Sequence, residues 1–65
     1  MESIEIYVTT DKDDAAGLKR RFESRHIMAD VKPQTGKGGR FYIVTVPEQN
    51  ASQAREIRNR YYQEI

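Results

Sequence analysis

The chain has 65 residues, no cysteine and a formal net charge of only +1. This length fits a single domain over residues 1–65 with a thin stability margin, because folding at this size buries only ~60% of the surface that the unfolded chain exposes. The lack of cysteine excludes disulfides, a thiolate nucleophile and thiolate metal ligands. No apolar run approaches the ~20 residues of a membrane span, and the N-terminus shows no signal-peptide core, so we expect a cytoplasmic protein with no membrane partner.

The first predicted elements are a strand and a helix. Apolar and polar residues alternate over residues 4–9, which is the pattern of a strand with one buried face. Thr10 or Asp11 then provides an N-cap for a helix, and the carboxylates Asp13 and Asp14 suit its positive first turn. Three apolar residues follow at spacings of three and four, so they share one helical face that packs on a sheet: Ala15, Leu18 and Phe22.

A hairpin and a second helix complete the pattern. Residues 28–34 and 40–46 are predicted as strands two and three, joined by a glycine-rich turn. Strand three is apolar on both faces, which favours a central position in the sheet. Pro47 ends this strand, and Asn50 is a candidate N-cap for the last helix.

The order β-α-β-β-α predicts an α+β fold of the split βαβ type, equivalent to half of a ferredoxin-like domain. We expect a three-stranded sheet, antiparallel or mixed, in the order 1-3-2. A right-handed crossover then places both helices on one face of the sheet. The other face and the two edge strands stay open to water or to a partner.

Strand three carries more apolar side chains than a one-sided core uses, which indicates a contact surface. The candidate partner-binding residues on the open face are Tyr7, Lys32, Phe41 and Ile43. The leading interpretation is therefore a small interaction or regulatory module that acts by protein–protein contact through this face or an edge strand, with a homodimer as one form of that contact. An inhibitor of phage or plasmid type, docking on a host protein, fits the length equally well.

The glycine-rich turn supplies the candidates for phosphate or nucleic-acid contact: Lys37, Gly38, Gly39 and Arg40. The segment Gly36-Lys37-Gly38-Gly39 resembles the GxxG loop of KH domains, although a strand follows it where that family has a helix. A flexible hairpin turn is the simpler interpretation. If Tyr7 and Phe41 both face the open side, the sheet resembles an RRM domain without its fourth strand. Binding of RNA or single-stranded DNA is therefore the alternative function, although the net charge is far from the basic excess typical of such domains.

Catalytic and metal chemistry find little support. The serines are scattered, with no base placed beside any of them. His26 is the only histidine, and a position at the negative end of the first helix suits it better than a metal site. The basic run 19–21 with Arg25 is a solvated helix face, or else an electrostatic patch for an acidic partner. We expect a non-enzyme without metal or cofactor.

Four short segments carry a family resemblance. They are Ile6-Tyr7-Val8-Thr9, Ser24-Arg25-His26-Ile27, Val44-Thr45-Val46-Pro47-Glu48 and Ala54-Arg55-Glu56-Ile57. In this spacing the chain resembles small βαββα domains of the signal-transducing, PII-like type, and it is similar to the cytoplasmic N-terminal domain of rhomboid proteases. His26 stands where these families often have glycine. The resemblance implies a regulatory or partner-binding accessory domain and supplies no catalytic residues.

Overall fold

The computed structural model describes residues 2–64 and shows the predicted order of strands and helices. The elements are β1 (Ser3–Thr9), α1 (Lys12–Glu23), β2 (Asp30–Gly36), β3 (Gly39–Pro47), a 3-10 turn (Glu48–Asn50) and α2 (Ala51–Glu64). Strand β2 begins two residues later than expected. The last helical segment begins earlier, as the 3-10 turn, so Asn50 lies within it and does not serve as its N-cap. No helix among the described residues is long and apolar enough to cross a membrane.

The three strands form an open sheet in the order β1-β3-β2, and both pairings are antiparallel. The predicted α+β class and strand order are therefore confirmed. Val44 of β3 lies opposite Tyr7 of β1 and Val31 of β2, which fixes the register across the sheet. Strand β3 is central, as its apolar composition on both faces predicts.

Both helices pack against the same face of the sheet. Ala15, Leu18 and Phe22 of α1 are completely buried, which confirms the predicted stripe. They form one core with Val44 of β3 and Ala54 of α2. The hydrophobic core therefore lies between the helix layer and one side of the sheet, and the other side has no covering layer among residues 2–64.

A β-bulge at Ile6 interrupts the alternation of β1. Glu5 pairs with Thr45, and Tyr7 pairs with the adjacent residue Val44. Ile6 is therefore an extra residue of β1 with no partner on β3. Ile6 and Tyr7 are consequently both buried, 5% and 7% exposed. The guanidinium of Arg58 in α2 donates a hydrogen bond of 3.1 Å to the carbonyl of Ile6, which fixes the bulge from the helix layer.

Both ends of α1 are closed by defined hydrogen bonds. Asp11 is the N-cap, and its side chain accepts a 2.9 Å hydrogen bond from the backbone N–H of Asp13, as predicted. After the last helical residue, the N–H of Ile27 donates to the carbonyl of Phe22 and that of His26 donates to Glu23. This is the Schellman pattern, and His26 occupies its left-handed position with a φ of 63°.

Candidate partner-binding surface

Strand alternation determines which side chains lie on the uncovered side of the sheet. Val44 and Val46 of β3 belong to the core under the helices, so the alternate residues of β3 lie on the opposite side. Directly paired residues of antiparallel strands share a side of the sheet. We call this uncovered side the open face, and its residues are Glu5, Val8, Asp30, Lys32, Gln34, Phe41, Ile43 and Thr45.

The register arranges the open face in rows that run across the three strands. The central row contains Val8, Ile43 and Lys32, each from a different strand. Side chains paired in this way have Cβ atoms about 5 Å apart, so they form one continuous contact area. The next row carries Glu5 and Asp30, one on each side of Thr45. The open face is therefore apolar at its centre, with a cation at one edge and two carboxylates in the adjoining row.

The accessible apolar area of the open face comes largely from one residue. Val8 is 56% exposed, whereas its neighbour Ile43 is only 7% exposed. Phe41 is half-buried because its ring lies over Gly36, where a Cβ atom would stand 3.1 Å from the ring carbon Cε1. A glycine at position 36 thus makes room for the aromatic ring that ends the apolar strip.

The hydroxyl of Thr45 is a second feature of this side of the sheet. Thr45 is buried, and its Oγ1 has no hydrogen-bond partner among the described residues. An unpaired buried hydroxyl costs about 1–3 kcal/mol, and such groups are rare in native proteins. The row between Glu5 and Asp30 therefore contains an unmet hydrogen bond.

Tyr7 lies on the covered side of the sheet, so the prediction that it belongs to the open face is wrong. Strict alternation from Glu5 would place Tyr7 on the open face and Val8 in the core. The bulge at Ile6 reverses both positions. The ring of Tyr7 instead contacts Tyr61 and Tyr62 of α2 edge-on, at centroid distances of 6.2 and 5.3 Å.

Tyr7, Asp14 and Tyr61 form a hydrogen-bonded group that we call the Asp14 cluster. The hydroxyl of Tyr7 donates to Asp14 Oδ2, and that of Tyr61 donates to Asp14 Oδ1, both at 2.5 Å. The Tyr61 hydroxyl also lies 3.1 Å from the carbonyl oxygen of Asp14. Gly17 permits this approach, since a Cβ atom there would stand 3.1 Å from the same hydroxyl. The cluster joins β1, α1 and α2 through one carboxylate.

The Asp14 cluster shifts the pKa of each of its members. Burial and the hydrogen bond to Asp14 raise the pKa of the Tyr7 hydroxyl. The hydrogen bond to Asp14, together with burial, raises the pKa of Tyr61 to about 12. Burial would raise the pKa of the Asp14 carboxyl, but hydrogen bonds from Tyr61, Tyr7 and Thr9 outweigh it and hold this pKa below 3.8. All three shifts indicate that the carboxylate with two neutral phenols is the stable form.

Sequence reasoning assigned Asp14 to the favourable first turn of a helix and missed its partners. A carboxylate at this place suits the helix dipole, and that explanation is sufficient when the chain is considered one element at a time. The partners Tyr7 and Tyr61 lie 7 and 47 residues away. No local spacing relates them, and the bulge that turns Tyr7 inward leaves no signature in the sequence.

The glycine-rich segment forms a tight hairpin turn. Lys37 and Gly38 are the two turn residues, and Gly39 adopts a φ of 114°, which favours glycine. All four candidate phosphate contacts are exposed, but Arg40 and Phe41 alternate on β3 and so lie on opposite sides of the sheet. Tyr7 and Phe41 also lie on opposite sides. The predicted stacking platform of these two rings is therefore wrong.

Comparison with protein-family models, with curated proteins and with solved structures gives no significant match to this chain. The resemblance to PII-like signal-transducing domains and to the rhomboid N-terminal domain accordingly stays a prediction.

Proposed function

We propose that this chain is a small non-catalytic binding domain that holds a protein partner on its open face. Val8, Phe41 and Ile43 supply the apolar contact, and Lys32 supplies a charged contact beside it. The observation that supports this proposal is the row of Val8 and Ile43 at the centre of a sheet whose helices cover only the other side. Single exposed apolar residues are common, but Val8 lies next to the partly exposed ring of Phe41 on an uncovered sheet, and Ile43, which is almost buried, supports both.

The charges of the open face define the chemistry of the partner. An apolar side chain of the partner would pack on Val8 beside Phe41. A carboxylate would lie near Lys32, and a cation or hydrogen-bond donor would face the row of Glu5 and Asp30. Charges at the rim of a contact contribute more to orientation and association rate than to affinity. We therefore expect salt to slow association more than it speeds dissociation.

We infer from the area of the open face that the contact is a weak one. Three strands ~4.8 Å apart, with about seven residues each at ~3.3 Å per residue, give a face of about 330 Å². A stable complex usually buries about 800 Å² per partner. The open face alone therefore supports reversible regulatory binding better than a permanent homodimer.

The experiment compares the proteins that the intact chain and three single variants, each immobilised, capture from a cell extract. Val8→Ser and Phe41→Ser remove open-face contacts, and Arg55→Ser is the control because Arg55 is exposed on α2 and does not line the hollow that Val8 shares with Tyr62. We expect one protein to bind the wild type and Arg55→Ser and to be lost with both open-face variants. Its purified form should then reproduce this order in isothermal titration.

Two controls make the result decisive. Urea unfolding and amide spectra verify that each variant is folded, and sedimentation of the free chain shows whether the captured partner is a second copy. Equal capture by Val8→Ser, Phe41→Ser and the wild type would refute the proposal. Saturable shifts of Lys37 and Arg40 with single-stranded RNA, fading steeply with salt, would instead favour the nucleic-acid function.

A further inference from the structure

A second surface lies between the two helices and includes no residue of the sheet. The end of α1 and the middle of α2 enclose a groove of about 300 Å³. Among the residues whose side chains the structure describes, three arginines line it, Arg21, Arg25 and Arg60, together with one carboxylate, Glu56. Ile57, which is partly buried, supplies an apolar wall. This volume lies at the lower end of the range for small-molecule sites.

Helical spacing explains how the arginines meet. Arg21 lies in the last turn of α1, and Arg25 follows four residues later in the turn that ends the helix; both line the groove. Glu56 and Arg60 have the same spacing on α2. Packing of the two helices then brings together charges that lie far apart in the sequence. The sequence alone shows a basic run on α1 but gives no sign that Arg60 completes it.

The groove holds an excess of positive charge. Three guanidinium groups face one carboxylate among the described residues that line it. Arg21 lies over the ring of Tyr61, 5.0 Å from its centroid, which orients its side chain. Within residues 2–63, Arg25 and Arg60 form neither an ion pair nor a hydrogen bond, although Glu56 lies in the same groove. Two forked donors are therefore available for an external anion.

We propose that this groove binds a small phosphomonoester through Arg25 and Arg60, with Arg21 at its edge. A guanidinium presents two parallel N–H donors that match two phosphate oxygens, and a phosphomonoester carries up to two negative charges at neutral pH. Glu56 accepts a hydrogen bond from a hydroxyl group of the same ligand. The surface is separate from the open face, so ligand binding and protein binding do not compete for the same residues.

The test uses the full chain and three probes at constant ionic strength: inorganic phosphate, glycerol 3-phosphate and uncharged glycerol. Amide chemical shifts report the position of binding. We expect saturable shifts around Ser24, Arg25 and Ile57 with both phosphates, affinities in the millimolar range or tighter, and no response to glycerol. Glycerol 3-phosphate should bind more tightly than phosphate, because its hydroxyls reach Glu56.

Matched variants distinguish binding in the groove from a general attraction of the ligand to the positive charges of the chain. Arg25→Gln and Arg60→Gln each remove charge-assisted hydrogen bonds and should weaken glycerol 3-phosphate binding about tenfold. Arg55→Gln is the control, because Arg55 is exposed on α2, does not line the groove and carries the same charge. Glu56→Gln should strengthen binding of inorganic phosphate, since it removes a repelling carboxylate.

Two results would overturn the proposal. One is the absence of saturable shifts at the groove with either phosphate. The other is an equal loss of affinity in Arg55→Gln and in Arg60→Gln, which would show attraction to the net charge of the chain. Tighter binding of single-stranded RNA than of glycerol 3-phosphate through the same arginines would also replace the small ligand by a polyanion. None of these results bears on Val8 or Phe41, so the open-face proposal is tested independently.

Discussion

Replacing Asp14 with alanine should destabilise the fold far more than a change at an ordinary helix carboxylate. The carboxylate of Asp14 accepts hydrogen bonds of 2.5 Å from Tyr7 and from Tyr61. A hydrogen bond to a charged group contributes about 1.5–3 kcal/mol. Tyr61 is only partly buried, so its hydroxyl can turn to water, and the half-buried charge of Asp14 is itself removed. We therefore expect a net loss of about 3 kcal/mol in the free energy of unfolding.

This loss is large for a chain of 65 residues. At ~0.05–0.15 kcal/mol per residue, the whole domain is stable by roughly 3–10 kcal/mol. With an m-value of about 1 kcal/mol/M, Asp14→Ala should lower the urea midpoint by about 3 M. Far-UV circular dichroism measures this midpoint. If the variant is unfolded in water, titration with trimethylamine N-oxide recovers the folded baseline.

Asp13→Ala is the control, because Asp13 lies in the same helical turn but is exposed. It should cost only the dipole contribution of ~0.3–1 kcal/mol. A double-mutant cycle with Tyr7→Phe then isolates the Asp14 cluster. Equal losses in Asp13→Ala and Asp14→Ala, or effects of Asp14→Ala and Tyr7→Phe that simply add, would refute this account of the cluster.

Acid should reveal the same interaction. The folded-state pKa of Asp14 is lower than the ordinary value of 3.8, so its carboxylate contributes stability above that pH. This contribution is lost as the pH falls through the folded-state pKa. The difference in stability between wild type and Asp14→Ala should therefore shrink in strong acid and be constant near neutrality. A difference that grows on acidification would contradict the direction of the shift.

Three further predictions concern single positions. His26→Gly should raise the unfolding free energy by about 1 kcal/mol, because glycine takes the left-handed backbone at φ 63° without strain; a loss in thermal or urea unfolding would contradict this. Gly17→Ala would place a Cβ atom 3.1 Å from the Tyr61 hydroxyl, so in the wild type it should not give the usual gain of ~0.5–1 kcal/mol in unfolding free energy for alanine in a helix. In the Tyr61→Phe background, which lacks that hydroxyl, the same substitution should give the gain. The pKa of Tyr61 is about 12 in the folded protein against an ordinary 10.0, so the stabilisation by its neutral hydroxyl is complete below pH 10.0 and lost as the pH rises through 12. Tyr61→Phe should therefore reduce the fall of the urea midpoint at alkaline pH. It should also remove one late-titrating phenolate from the absorbance titration.

Much of the fold follows from local patterns in the sequence. The stripe of Ala15, Leu18 and Phe22 and the N-cap at Asp11 both indicate helix α1, and the doubly apolar third strand indicates the central place of β3 in the sheet. These features depend on neighbours within a few residues, so periodicity and capping rules detect them. The observed strand ends differ from the predicted ones by one or two residues, because a strand extends as far as hydrogen bonding to its partner strand allows.

The candidate surfaces follow from the sequence only in part. Lys32, Phe41 and Ile43 lie together on the open face as predicted, because β2 and β3 alternate regularly. Tyr7 does not, because a bulge is set by pairing with β3 and by the distant Arg58. The arginine groove depends likewise on the packing of α1 against α2. Contacts between residues far apart in the chain are what a reading of one element at a time misses.

The two edge strands favour contact through the open face over strand addition. An incoming strand needs a row of free, evenly spaced N–H and C=O groups. On β1 the bulge breaks that row, and Arg58 occupies the carbonyl of Ile6. On β2 Pro33 lacks an N–H, so this edge also misses a donor in mid-strand. The bulge that interrupts the edge of β1 also turns Val8 outward. The extra residue Ile6 therefore both disfavours edge pairing and brings Val8 into the apolar row that we propose as the binding surface.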